Sequence, residues 1–204
     1  KALERVYALR GGIGARKISS INMSLGGGYY TGSCDTDSRK AIIDRRRAAG
    51  IATVIAAGDE SFTDGVGAPG CISTATTVGA TSKYSAGNPE KVASYSNVGP
   101  QVDVFAPGGD YPYPSAMGNA ALLKSSYKGS NVTYAYLAGT SMAAPHVAGA
   151  FAAIRSKASC ASKTVTEIEN AMKATGLSVT DTRSGGSITR KRIDVAAVIA
   201  RLCP

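Results

Sequence analysis

Apolar and polar positions follow two periods along this chain, and the switches between them outline its elements. Lys1 to Arg10 carries apolar residues at helical spacing with no capping residue ahead of them. That pattern predicts a chain starting partway through a helix, with further sequence upstream. Gly11-Gly12-Ile13-Gly14 breaks it. Lys17 to Ser24 then reads as a strand running into Leu25-Gly26-Gly27-Gly28, and Tyr29 to Asp37 as a loop. Ser38 to Ala49 reads as an amphipathic helix with Ile42, Ile43 and Ala49 facing in and the arginines facing out. Gly50 closes it, as glycine often does just past a helix. Ile51 to Ala57 is a continuous apolar run with β-branched residues, the pattern of a buried parallel strand, and it ends in Gly58-Asp59-Glu60.

Strand, helix and strand in this order form a βαβ unit. The predicted fold class is α/β, a mostly parallel sheet with helices on both faces. Ligands of such sheets bind at the carboxyl ends of the strands. Here those ends are Ser24-Leu25-Gly26-Gly27 and Ala57-Gly58-Asp59-Glu60. Further short strands are predicted at 76–80 and 102–105, a turn at Pro107-Gly108-Gly109, and an irregular stretch from Asp110 to Lys128. Val132 to Ala138 reads as hairpin-like, Ser141 to about Ser156 as a buried helix, and Ile193 to Leu202 as a terminal helix. Thr164 with Glu167 three residues on is a capping box opening a helix to Ala174, and Gly185-Gly186 is a turn. No repeat, linker or low-complexity tract divides residues 1–204, so one domain is expected.

Composition adds limits. The residues are 44% apolar and 18% charged, close to globular averages of about 45–50% and about 25%. No apolar run approaches the roughly 18 residues of a membrane span, and no signal peptide opens the chain. Net charge is +9, with Arg45-Arg46-Arg47 and Thr189-Arg190-Lys191-Arg192 as basic runs. No recognition motif or interleaved aromatic pattern accompanies them, so they read as a solvated helix face and a surface hairpin, not a nucleic-acid footprint. Four cysteines stand far apart at 34, 71, 160 and 203, without the close pairs of a metal site. Free thiols and two disulfides both remain open on spacing alone.

The candidate chemistry lies in Gly139-Thr140-Ser141-Met142-Ala143-Ala144-Pro145-His146, where a small, flexible tripeptide runs into the buried helix. A serine in the first turn has an exposed hydroxyl, unpaired backbone N–H groups and the positive end of a helix dipole beside it. Those suit a nucleophile whose intermediate carries an oxyanion, although a Ser/Thr helix cap has the same local sequence. The longer string resembles the nucleophile motif of the subtilisin-like serine proteases, the proteinase K-like branch in particular. Ser-Leu-Gly-Gly at 24–27, Ala-Ala-Gly-Asp at 56–59, Ala-Ser-Tyr-Ser-Asn at 93–97 and Val-Asp-Val-Phe-Ala-Pro-Gly at 102–108 extend the resemblance over essentially the whole chain.

The resemblance implies a secreted serine endopeptidase acting on an extended peptide or protein substrate. Ser141 would be acylated, with its own N–H in the oxyanion hole. Ser24, Leu25 and Gly26 would pair with the substrate backbone. Segments 24–27 (with Gly27) and 56–58 (Ala56, Ala57, Gly58) would wall the pocket, and Thr140 would border it. Secretion favours disulfides, which order and loop spacing suggest as Cys34–Cys71 and Cys160–Cys203, with the other two connectivities still open. No catalytic cofactor is implied. Asp103 aligns with a calcium-liganding aspartate, with carbonyls near Ser73 and Ala75, so a structural calcium is one expectation and a loop aspartate capping amides the other. Asn131-Val132-Thr133 is a glycosylation sequon.

Two departures qualify the resemblance. The family's Asp-Thr-Gly and His-Gly-Thr segments are absent, so the triad Asp and His would come from a missing upstream segment or a companion chain, and a companion N-terminal chain or a propeptide is an expected partner. The single histidine, His146, lies about 7.5 Å along and roughly 140° around the helix from Ser141 and is expected to be structural. Asp59 stands where the family usually has an asparagine that donates to the oxyanion. A non-catalytic, peptide-binding or structural subtilisin-like domain is therefore the alternative expectation. No nucleic-acid or membrane partner is expected.

Overall fold

The computed structural model describes residues 1–11, 17–83, 90–110, 121–128, 133–183 and 185–203. The predicted break at residues 12–14, most of the irregular stretch before residue 121, and the sequon residues Asn131 and Val132 lie outside them.

A six-stranded sheet runs in the order β1 (Ser20–Met23), β3 (Ala52–Ala56), β5 (Thr76–Thr81), β6 (Val104–Pro107), β10 (Thr189–Arg192) and β9 (Leu177–Thr180). The first five are parallel; only β9 runs antiparallel, on β10. Every residue of β3 is buried, as a strand covered on both faces must be. Ala52, Val54 and Ala56 pack in one layer, and Ile55 and Ala57 in the other, which is the two-residue period of a strand. The first layer is closed by helix α3 (Thr140–Ser156), through Ala143, Ala144, Val147, Ala150, Phe151 and Ile154. Helices α4 (Val165–Ala174) and α5 (Val195–Leu202) extend it. The second layer takes Ile43 of α2 (Lys40–Ala48). The α/β expectation holds, and so do both expected disulfides, Cys34–Cys71 and Cys160–Cys203. The capping box of Thr164 and Glu167 forms as the spacing predicts.

Several elements differ from the sequence pattern. Tyr29 and Tyr30 belong to a strand, β2 (Gly27–Tyr30), which pairs with β4 (Val66–Ala68). Part of the expected irregular stretch is β7 (Leu123–Ser126), the partner of β8 (Tyr134–Leu137). The basic run at 189–192 is not a free surface hairpin: as β10 it joins β6 in the main sheet. In α2, Ile42 and Ile43 are buried as expected, but Ala49 is exposed and Arg46 is fully buried. Arg46 lies one turn beyond Ile42, so it shares the buried stripe, and burial lowers its guanidinium to about 10. Helix α1 (Ala2–Ala8) packs on α2 and buries none of its own residues.

Candidate active site

Ser141 lies in the first turn of α3, whose N-cap Gly139 has no side chain to cap it. The cap comes from another segment. One oxygen of Asp59, Oδ1, accepts the Thr140 N–H at 2.8 Å and the Thr140 hydroxyl at 2.7 Å. The Thr140 hydroxyl oxygen in turn accepts the Gly58 N–H at 3.2 Å. With Thr140 engaged, and Met142 and Ala143 donating to the Gly139 carbonyl, the N–H and hydroxyl of Ser141 have no hydrogen-bond partner among the described residues. A partly exposed serine whose hydroxyl and N–H have no partner among the described residues, at the positive end of a 17-residue helix, has the local geometry that an oxyanion-stabilised nucleophile needs.

Proline fixes the other side of the turn. Pro145 has no N–H, so the carbonyl four residues earlier, that of Ser141, lacks its helical donor. The hydroxyl of Ser24 supplies one at 2.8 Å, and the Asn22 amide donates to the Ser24 oxygen at 2.9 Å. The end of β1 is thereby tied to the first turn of α3.

The end of β3 is set by Asn97. Its buried amide donates to the Ala57 carbonyl at 3.1 Å and to Glu60 Oε2 at 2.6 Å, and its oxygen accepts the N–H groups of Glu60 and Phe62, each at 3.0 Å. Gly58 passes beneath this amide at φ +110°, where a Cβ would come within 2.3 Å of the Asn97 nitrogen. No other residue fits there. Tyr95 donates to the carbonyls of Gly108 and Gly109, and the Gly108 carbonyl also accepts the Gly139 N–H at 3.1 Å, so the loop after β6 holds the start of α3.

The fold thus brings Ser24, Ala57, Gly58, Asp59, Thr140 and Ser141 together. Gly26 joins them: a Cβ there would lie 3.2 Å from the Ala68 carbonyl and 3.9 Å from that of Ala56. Leu25 is exposed, and Gly27 pairs with Ala68 at the start of β2. Strand β4 adds a wall that the sequence pattern hides, because the Gly-rich Val66-Gly67-Ala68-Pro69-Gly70 string masks a strand only three residues long.

Two candidates lie apart. His146 is exposed, and its Nδ1 lies 2.8 Å from the Met142 carbonyl. Asp103 precedes β6, at the end of the sheet opposite Ser141. Its Oδ1 meets Lys173 Nζ at 2.5 Å, and its Oδ2 accepts the Thr77 N–H at 2.7 Å. Burial first, and the charge of Glu169 second, push its carboxyl up to about 6 against the pull of Lys173. A carboxyl with a folded pKa above its unfolded value holds an extra proton in the folded state through the window between them. Its contribution to stability therefore falls as pH rises from about 4 to about 6 and returns on acidification. Urea unfolding across that window is expected to show this slope, and Asp103→Asn to flatten it.

A profile of the subtilase family (Peptidase_S8) matches residues 2–191. An "Extracellular basic protease" of Dichelobacter nodosus is 38% identical over 149 residues, 73% of this chain and 22% of that protein. An "Extracellular protease" of Xanthomonas campestris pv. campestris is 37% identical over 172 residues, 84% of this chain and 27% of that protein. The chain thus spans about a quarter of the length of these relatives. A solved structure described as proteases from Pseudoalteromonas arctica superposes with a TM-score of 0.71 at 33% identity, over 97% of this chain and 56% of that one.

Proposed function

This chain belongs to the subtilase family, and we propose that it carries the nucleophile and half the substrate cleft of a secreted serine endopeptidase. The observation that carries the reading is the hydroxyl and N–H of Ser141, without a hydrogen-bond partner among the described residues, on a turn held at the N-terminus of α3 by Asp59, Ser24 and Gly108. Relatives named as extracellular proteases and two disulfides support secretion. A substrate strand lies along Ser24–Gly26, with its side chain toward 56–58. The Ser141 hydroxyl attacks the scissile carbonyl, the proton passes to a base, and the oxyanion forms against the Ser141 N–H. Collapse of that intermediate breaks the scissile C–N bond, the amine leaves with the proton held by the base, and water, activated by the same base, hydrolyses the acyl-enzyme.

The base comes from outside these 204 residues, from an upstream segment or a companion chain. His146, the one histidine, has its Nδ1 on the Met142 carbonyl, a turn away from the Ser141 hydroxyl. Residues 1–204 act as one domain and are inactive alone.

Asp59 bears on the rate. Both hydrogen bonds from Thr140 end on Oδ1, while Oδ2 lies above Gly139, 3.0 Å from where its Cβ would be. An asparagine would keep the two bonds through its oxygen and present an N–H₂ in place of the anionic Oδ2. In the chain assembled with its base, Asp59→Asn is expected to raise turnover at least tenfold, toward the roughly 10²–10³ attributed to one oxyanion donor. Peptide hydrolysis by that assembly, with a burst of acyl-enzyme, tests the whole reading. An assembly that binds peptide but does not cleave it would establish a binding module instead.

A further inference from the structure

We propose that the ammonium of Lys173 is a built-in counter-ion at Asp103, standing where the family resemblance implies a structural calcium. The one carboxylate on offer to a hard cation here is already engaged. Both oxygens of Asp103 are taken, Oδ1 by Lys173 and Oδ2 by the Thr77 N–H. In the neighbouring loop, the Thr74 carbonyl accepts from Arg47 at 3.3 Å. Calcium takes about six to eight oxygen ligands, at least one of them an ionised carboxylate free to coordinate. Here a side-chain cation from α4 claims the carboxylate, and one from α2 holds the Thr74 carbonyl between the two expected ones, near Ser73 and Ala75.

The two cations and two acids form one network. Glu169, buried on α4, accepts from Arg47 at 2.6 Å and from the Thr76 hydroxyl at 2.9 Å, and lies 4.0 Å from Lys173. Arg47 and Lys173 balance Asp103 and Glu169 in formal charge. The network joins α2, β5, the segment before β6, and α4, which is the cross-linking a bound dication would provide. Asp103 and Lys173 also border a cavity of about 420 Å³ with Arg190 and Lys191. The wall of that cavity carries three cations to one carboxylate, which opposes the arrival of a further double positive charge.

Lys173 lies on α4 one turn after Glu169, so its ammonium reaches Asp103 along the same helix face. Its side chain is 40% exposed while that of Asp103 is 16% exposed: the lysine reaches in from solvent to a sunken carboxylate. This is an acid held by a tethered monovalent cation, independent of metal supply.

Thermal unfolding of the 204-residue chain, in chelator and then in excess calcium, tests the proposal. The melting temperature is expected to be the same in both. Lys173→Met is expected to lower it by on the order of 10 °C in chelator, with part of the loss restored by calcium once Asp103 and Glu169 are freed. Adding Asp103→Asn to that variant should abolish the recovery. Lys173→Arg keeps a cation in place and is expected to stay calcium-insensitive, an arm that decides the matter even if the methionine variant does not fold. The proposal is overturned by a native chain that loses stability in chelator and regains it with calcium through Asp103. It is equally overturned by a folded Lys173→Met chain that gains nothing from calcium.

Discussion

Ser141→Ala is expected to lower peptide turnover by the base-supplied assembly on the order of 10⁶-fold while leaving the fold intact. The two halves of that expectation have separate causes. The Ser141 hydroxyl makes no hydrogen bond among the described residues, so its removal leaves no buried group unsatisfied, and stability should change by no more than about 0.5 kcal/mol. The Ser141 carbonyl, which receives the Ser24 hydroxyl, and the N–H at the helix terminus belong to the backbone and survive the substitution. Only the acylated atom is lost. Paired measurements of turnover and of urea unfolding separate this from a structural defect: a large loss of stability in the alanine variant would make Ser141 a helix cap and not a nucleophile.

Asn97→Ala is expected to cost about 2–4 kcal/mol and to disable the site from below. The amide is fully buried and serves four groups of the 57–62 segment. The Ala57 carbonyl keeps a second donor, the Gly67 N–H at 2.8 Å, so the damage falls on the N–H groups of Glu60 and Phe62. Those two turn the chain directly after Asp59. Without them Asp59 loses its fixed position, and with it Thr140 loses its acceptor. Asn97→Asp keeps the oxygen but puts a carboxylate against Glu60, and is expected to be comparably harmful. Chemical denaturation measures the stability loss, and the Thr140 amide signal in NMR reports the released cap. A variant with native stability and an unmoved Thr140 amide would show that Asn97 does not organise the site.

Strong periodicity makes the core legible in the sequence. Ile51 to Ala57 and Ser141 to Ser156 are long apolar runs with clear ends, and β3 and α3 lie where those runs predict. The short elements are not legible. Strands β2, β4 and β9 have three or four residues each, rich in glycine, tyrosine or exposed polar residues, and exist because a neighbouring strand completes their pairing. The basic run 189–192 reads as surface because its side chains are polar, yet its backbone pairs at the sheet's end. Arg46 is hidden by its charge: its spacing from Ile42 places it on the buried stripe, and only the chemistry of the side chain argues otherwise.

The site divides in the same way. Residue identities around Ser141 are readable because the motif is long. The partners are not, because they depend on distances across the fold: Asp59 to Thr140 spans 81 positions in sequence, and Ser24 to Ser141 spans 117. The sequence presents Asp59 only as an altered oxyanion donor. Its observed bonds add a second duty, capping α3 in place of Gly139. The role of Pro145 in freeing the Ser141 carbonyl for Ser24 is present in the sequence as a four-residue offset and needs only the neighbour to be identified.

The nucleophilic role of Ser141 is tested most directly by treating the base-supplied assembly with a fluorophosphonate and mapping the adduct by peptide mass spectrometry. A single adduct on Ser141, suppressed by a competing extended peptide and absent from Ser141→Ala, is the predicted result. An unmodified Ser141 in an assembly that holds its histidine, or an adduct on another serine, would contradict it.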